Sequence, residues 1–300
     1  MGFLTLLSGE CHLTKRKICA LASHLGIRIS LGALCKIHRL ASVILEQSYE
    51  CIRESVLQGA HVNGDETGWR TCNQRRWMWI GVGETATFFS IDPSRSQAAF
   101  RRIFGGFQNT LTCDRYGAYN THLGNKQSCL AHIDRDIEKV SERDGLDGAI
   151  GRILAHELDQ VFAIWQAFKD GRHNREELQR LTQEHVQNVD SALKVGACTE
   201  EITKKTRRFC NNLLSRFDTL WTFLHEEGVE PTNNRAERGL RPAVIMRKLS
   251  GGSQSEWGER FTERILTVIC TLKQRAMDVL DYLGRVFQAY IRAGPIPSAI

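Results

Sequence analysis

Apolar positions along the chain change their period twice, and the changes divide it into helical and strand-forming stretches. Between residues 12 and 48, Ile18, Leu21, Ala22 and Leu25 recur at three- and four-residue steps. Thr14 stands where a cap is needed, and Gly26 is placed to end that helix. Ser30 caps a second helix, and Ile29 with Leu34 fits a hydrophobic staple across it. The period then drops to that of strands. Trp77-Met78-Trp79-Ile80 with Val82, a Gly83-Glu84-Thr85 turn and Thr87-Phe88-Phe89-Ser90-Ile91 predict a β-hairpin. Thr110-Leu111-Thr112-Cys113 predicts a strand ending on Asp114, and a weaker run, His61-Val62-Asn63, leads to Asp65. Residues 97–104 read as a short helix. From about 145 to 228 the helical period returns, through Ile150, Leu154, Leu158, Val161, Trp165 and Phe168, then Leu178, Leu181, Val186 and Val189, then Phe209, Leu213, Phe217, Leu220 and Leu224. After Pro231 two more apolar faces follow, one with Phe261, Ile265, Ile269 and Leu272 and one with Met277, Leu280, Leu283, Phe287 and Tyr290.

Strands followed by helices predict a mixed α/β core. The expected organisation is a helical N-terminal region over residues 1–58, a first core part over 59–144, an all-helical insert over 145–228, a second core part over 229–292 and a tail over 293–300. The first two helices, joined at a glycine turn, outline either a DNA-reading helix-turn-helix or a plain helical hairpin.

Charge adds a partner class. The 300 residues carry a formal net charge of +6, which favours a polyanion without requiring one. Ten cysteines are scattered with no C-x-x-C pair, unlike a disulfide framework or a paired zinc site, and the nearest approach to the latter is Cys129-x-x-His132 with Cys113 upstream. They read as reduced thiols of a cytoplasmic protein. No secretory signal and no membrane-length apolar run is present, so no membrane partner is expected.

Three segments carry candidate chemistry. Asp65-Glu66-Thr67-Gly68-Trp69 and Asp114-Arg115-Tyr116-Gly117-Ala118-Tyr119 each place an aspartate at an expected strand end beside a glycine turn. Neighbouring strands would bring the two carboxylates together, and close carboxylates need protons or cations to offset their repulsion. Magnesium accepts such oxygen donors. The same aspartates also suit ordinary turns. Thr232-Asn233-Asn234-Arg235-Ala236-Glu237-Arg238-Gly239-Leu240-Arg241 follows Pro231 and reads as a helix with Asn233, Glu237 and Arg241 on one face. On pattern alone that face is a solvated amphipathic surface. Gly81-x-Gly83-x-x-Ala86 resembles a dinucleotide loop but precedes a strand, and His156-Glu157 lacks the second histidine of a zinc-protease motif.

Taken in order, Asp65 to Trp69, Asp114 to Tyr119, Cys129-Leu130-Ala131-His132, Thr232 to Arg238, Arg247-Lys248 and Glu263 to Val268 resemble the bacterial insertion-sequence transposases of the sixty-six group. The resemblance runs from about residue 10 to 285. It implies a ribonuclease-H-like core with a helical insert and helical N-terminal region, and a D-D-E triad on Asp65, Asp114 and Glu237 holding magnesium or manganese, as two ions. It implies double-stranded DNA as partner, at transposon ends and at the target, with self-association and a nucleoid-associated location in bacteria. Arg115, Asn233, Asn234, Arg238, Arg241, Arg247 and Lys248 are the expected DNA contacts. Two features depart from the family: Leu130 replaces a usual aromatic residue, and family members carry further sequence before the point matching Met1. The expectation is therefore a transposase with a shortened N-terminus. The alternatives are a catalytically silent DNA-binding remnant acting as repressor or partner of a longer transposase, and a nuclease that cuts without joining.

Overall fold

The computed structural model describes all residues, Met1–Ile300. Four helices open the chain: α1 (Gly2–Gly9), α2 (Lys15–His24), α3 (Leu31–Ile44) and α4 (Glu46–Gln58). Strands β1 (His61–Thr71), β2 (Gln74–Val82) and β3 (Thr87–Asp92) follow, then α5 (Gln97–Phe104), β4 (Thr110–Cys113) and β5 (Lys126–Ser128). The helical stretch comprises α6 (Leu130–Ser141), α7 (Gly145–Lys169), α8 (Arg175–Cys198), α9 (Lys204–Leu214) and α10 (Thr222–His225). The chain closes with α11 (Asn234–Ser250), α12 (Glu256–Gln274) and α13 (Val279–Ile291).

The five strands form one sheet in the order β3-β2-β1-β4-β5, a mixed ribonuclease-H-like arrangement. β1, β2 and β3 pair antiparallel, with Asp65 opposite Ile80 and Ile80 opposite Phe89. The chain divides into two compact units, residues 1–111, 116–124 and 234–300 in one and residues 112–115 and 125–233 in the other.

In the first unit, the expected caps form. Thr14 accepts from the Lys17 amide and Ser30 from the Ala33 amide. Gly26, at φ +77°, ends α2 in a Schellman motif: its amide donates to Ser23 O and the Ile27 amide to Ala22 O. Ile29 packs in the same apolar cluster as Leu34, as a staple should. The β2–β3 hairpin forms as read, and Gly81 lies inside β2 against Phe88 with no helix behind it. The α12 helix is buried almost all round, through Phe261, Ile265, Leu266, Val268, Ile269 and Leu272.

Three local expectations are corrected. First, Asp65 lies within an eleven-residue strand, not at a strand end. Gly68 makes no turn: a Cβ there would meet Arg247 at 3.3 Å, and one on the neighbouring Gly64 would meet Leu111 at 3.2 Å. The turn comes later, at Cys72-Asn73, whose φ values of 49° and 62° are those of a two-residue type I′ hairpin loop. Second, α11 starts at Asn234, so Asn233 precedes the helix and does not share its face. Third, the buried stripe of α13 is Val279, Tyr282, Leu283, Val286 and Phe287, while Leu280 and Tyr290 are exposed.

The second unit is helical apart from its strand ends. Its core joins Leu130, Ile133, Ile150, Leu154, Leu158, Val161, Leu178, Leu193, Leu213 and Phe223. A capping box at Asn174 and Glu177 starts α8. His185 bonds Glu157 across α7 and α8 at 2.7 Å, so the His156-Glu157 segment serves helix packing. All ten cysteines are free, and no helix is long and apolar enough to cross a membrane.

Candidate functional site

The pleat of β1 sorts the two acidic residues of its motif onto opposite sides. Asp65 shares a side with Trp69, and Glu66 takes the other. Glu66 is buried; its carboxylate accepts from Arg95 Nε at 2.5 Å and from the Tyr119 hydroxyl. Arg95 in turn lies 3.7 Å from the Tyr116 ring centroid and 5.0 Å from that of Trp77. Glu66 is thus a buried ion-pair partner that braces the turn after β4. Asp65 is half-buried, and its Oδ1 accepts from the Glu66 amide at 2.8 Å.

The side of the sheet bearing Asp65 is covered by α11. Ala236, Leu240 and Ala243 pack against Trp69, Met78, Ile80 and Val82. Gly239 allows the close approach, because a Cβ there would stand 2.7 Å from Ile80 Cδ1. Both ends of the helix are tied to the sheet by guanidinium groups. Arg235 Nη2 donates to Gly83 O at 2.9 Å, and Arg247 Nη1 donates to Gly68 O and to Thr67 Oγ1. Since Ile80 is the cross-strand neighbour of Asp65, the second turn of α11, at Gly239, packs beside the rung that carries Asp65, while Arg235 in the first turn reaches the end of β2. Glu237 lies in the first turn, two residues before Gly239, and is half-buried, at the border between the packed and exposed faces. A carboxylate there is favoured by the positive end of the helix dipole.

The opposite face of α11 is basic. Asn234, Arg238, Arg241 and Lys248 are exposed and fall on one side at helical spacing, with Ile245 between them and Leu249 just beyond. Arg247, expected as a phosphate contact, instead points at the sheet.

In the second unit, Asp114 follows β4 directly and is half-buried. Its neighbour Arg115 pairs with Asp136 on α6 and donates to Asn212 Oδ1 at 3.2 Å. Asp136 titrates below the usual carboxylate range: burial pushes it up, and Lys139 and Arg115 together outweigh that. The Cys129 amide donates to Cys113 O at 2.9 Å, which sets the start of α6 against the end of β4. Asn233 is fully buried, and its amide donates to Cys129 Sγ at 3.2 Å, while the Leu130 amide donates to Pro231 O at 2.8 Å. The Pro-Thr-Asn segment is therefore seated on the first turn of α6, where His132 lies half-buried. Sequence reasoning overlooked one further basic group in this unit, Arg216, although the run Lys204-Lys205-Thr206-Arg207-Arg208 just before it was a readable signal.

Residues 10–260 match the profile of the family described as Transposase IS66 family. A curated relative, the uncharacterized protein y4qI of Sinorhizobium fredii, is 23% identical over 304 aligned positions, which cover 90% of this chain and 55% of the relative. The chain thus spans little more than half the length of that protein.

Proposed function

The chain belongs to the Transposase IS66 family, and from that premise we propose that it is a D-D-E DNA transposase whose three carboxylates are Asp65, Asp114 and Glu237. One observation carries the reading further than the motifs do. Asp65 on β1 lies on the side of the sheet that α11 covers, and Gly239, two residues after Glu237, packs on Ile80, the cross-strand neighbour of Asp65. Asp114, at the end of β4, is the third by its place in the family's ordered motifs.

The donor set suits magnesium or manganese: three half-buried carboxylates and hard oxygen ligands. When bound by these residues, such ions would supply Lewis-acid activation of the attacking oxygen and neutralise charge on the phosphate. The reaction we propose is hydrolysis at an element's end, which frees a 3′-hydroxyl, followed by attack of that hydroxyl on a phosphodiester of target DNA. Arg238, Arg241 and Lys248, with Asn234, would grip phosphates along the exposed face of α11. Arg235 and Arg247 hold that helix to the sheet, so they keep Glu237 over β1 without touching the substrate. Arg115 adds a cation beside Asp114, and Asn233 is held at the Cys129 sulfur.

The test uses the purified chain with a labelled duplex bearing the element's terminal repeats and magnesium. Asp114→Asn is expected to abolish strand cleavage while leaving duplex affinity largely unchanged. Cleavage by that variant at the native rate would refute the triad. Tight duplex binding with no cleavage by the unaltered chain would instead support a silent DNA-binding role.

A further inference from the structure

The second unit carries a row of cations that no acidic side chain offsets. On α9, Lys205 and Arg208 are exposed and stand on one face with Asn212, at helical spacing. Arg216 follows just beyond the helix, and its Nε donates to Asn212 O at 3.2 Å. The side chain of the same asparagine accepts from Arg115 Nη1 at 3.2 Å. Asn212 therefore joins two guanidinium groups, one through its amide oxygen and one through its backbone carbonyl. Arg115 has a carboxylate partner in Asp136, but Arg216 has none. The exposed acids nearest in sequence, Glu200, Glu201 and Asp218, form no ion pair with the row. Arg207 is excluded from it, since its guanidinium caps the carbonyls of Thr199, Glu200 and Ile202.

We propose that Lys205, Arg208 and Arg216, continued by Arg115, form a phosphate-binding track that holds a DNA strand alongside the Asp114 end of β4. The geometry suits that ligand. From Lys205 to Asn212 the helix rises about 10 Å, the axial rise of about three phosphates on one strand. Two like-charged guanidinium groups that share one asparagine create a field which a phosphate between them relieves. Arg216 feels that field: burial first, and the Arg115 charge second, lower its hold on its proton. The track rests on the reading of Asp114 as a catalytic carboxylate for its purpose, but its binding role stands on the cations alone.

The experiment measures duplex DNA affinity of the full chain by fluorescence anisotropy across about 50 to 200 mM salt, without magnesium, so that cleavage plays no part. Each lost phosphate contact lowers the magnitude of the log–log salt slope by about 0.9. Arg216→Gln is expected to lower it by about 0.9, and the triple change Lys205→Gln, Arg208→Gln, Arg216→Gln by about 2.7. Arg216→Lys keeps a point charge and is expected to keep the slope. Lys194→Gln, which removes a cation already paired with Asp190, is expected to leave it unchanged. A triple variant whose slope lies within about 0.5 of the native value would overturn the proposal. If circular dichroism shows the triple variant unfolded, the exposed single changes Lys205→Gln and Arg208→Gln replace it. Each is expected to lower the slope by about 0.9, and a native slope in both would overturn the proposal equally. Failure of the native chain to cut DNA would sink the catalytic reading and leave the salt slopes to decide the track.

Discussion

Replacing Glu263 by glutamine should reveal a pH dependence that the native protein conceals. Glu263 lies on α12, buried against β3, and its Oε1 accepts from the Ile91 amide at 2.5 Å and from the Ser90 hydroxyl. Burial, above all, lifts its pKa from 4.5 to about 7. At about 1.36 kcal/mol per pH unit, that rise corresponds to about 3 kcal/mol. The stabilisation is complete below about pH 4.5 and is lost as pH rises through about 7. Two residues earlier on the same helix, Phe261 stacks on His38 of α3 with ring centroids 4.6 Å apart. Burial, and then the Lys15 charge, lower His38 from 6.5 to about 4. Its contribution has the opposite sense: present above about pH 6.5 and lost as pH falls through about 4, again worth about 3 kcal/mol. In the native chain the two nearly cancel across that window. Glu263→Gln keeps the acceptor for Ile91 and removes one titration. His38→Phe keeps the stack and removes the other. Urea unfolding at about pH 4, 5.5 and 7 measures the outcome. Relative to native, Glu263→Gln should gain about 3 kcal/mol on going from pH 4 to 7, and His38→Phe should lose about as much. If both variants track the native profile, the assignment of buried charge to α12 is wrong.

Two further outcomes follow from the seating of α11. Arg247→Ala removes the guanidinium bound to Gly68 O and should cost about 1.5–3 kcal/mol of stability in urea unfolding, whereas Lys248→Ala should leave stability within about 0.5 kcal/mol and weaken duplex binding. Gly239→Ala puts a Cβ 2.7 Å from Ile80 Cδ1, a side-chain end that can turn aside, and gains about 1 kcal/mol of helix propensity, so stability should stay within about 1 kcal/mol of native, whereas Gly239→Leu should cost about 1–3 kcal/mol by overpacking α11 against β2, read in urea unfolding.

The parts of the fold that local chemistry determines were readable. Thr14 and Ser30 cap as their side chains require, the aromatic and β-branched run of β2 pairs with β3, and the apolar steps from Ile150 to Phe168 fall on one long helix. The errors arise where tertiary packing overrides a local signal. Gly68 reads as a turn residue, but it and Gly64 are flat places on a strand that Arg247 and Leu111 occupy, and the real turn uses Cys72 and Asn73 without any glycine. On α13, docking against α1 turns the buried stripe away from Leu280 and toward Tyr282. Glu237 was the hardest to read, since an acid on an amphipathic helix looks like any solvated acid. Periodicity also could not show that Gly239, two residues on, packs α11 onto β2, a contact between segments distant in sequence. The family's ordered motifs supplied what periodicity lacked, and the chain's match over residues 10–260 bears out that resemblance. Arg216 lay in no motif, and its pairing with Arg115 through Asn212 emerges only when α9 is folded.

The central claim, that Asp65, Asp114 and Glu237 together hold the divalent ions, is tested most directly by titrating manganese into the DNA-free chain and reading the bound fraction by electron paramagnetic resonance. Saturable binding by the native chain is expected, with a loss of at least about tenfold in affinity for each of Asp65→Asn, Asp114→Asn and Glu237→Gln, near 1.4 kcal/mol apiece. Native manganese affinity retained by all three variants would contradict the claim.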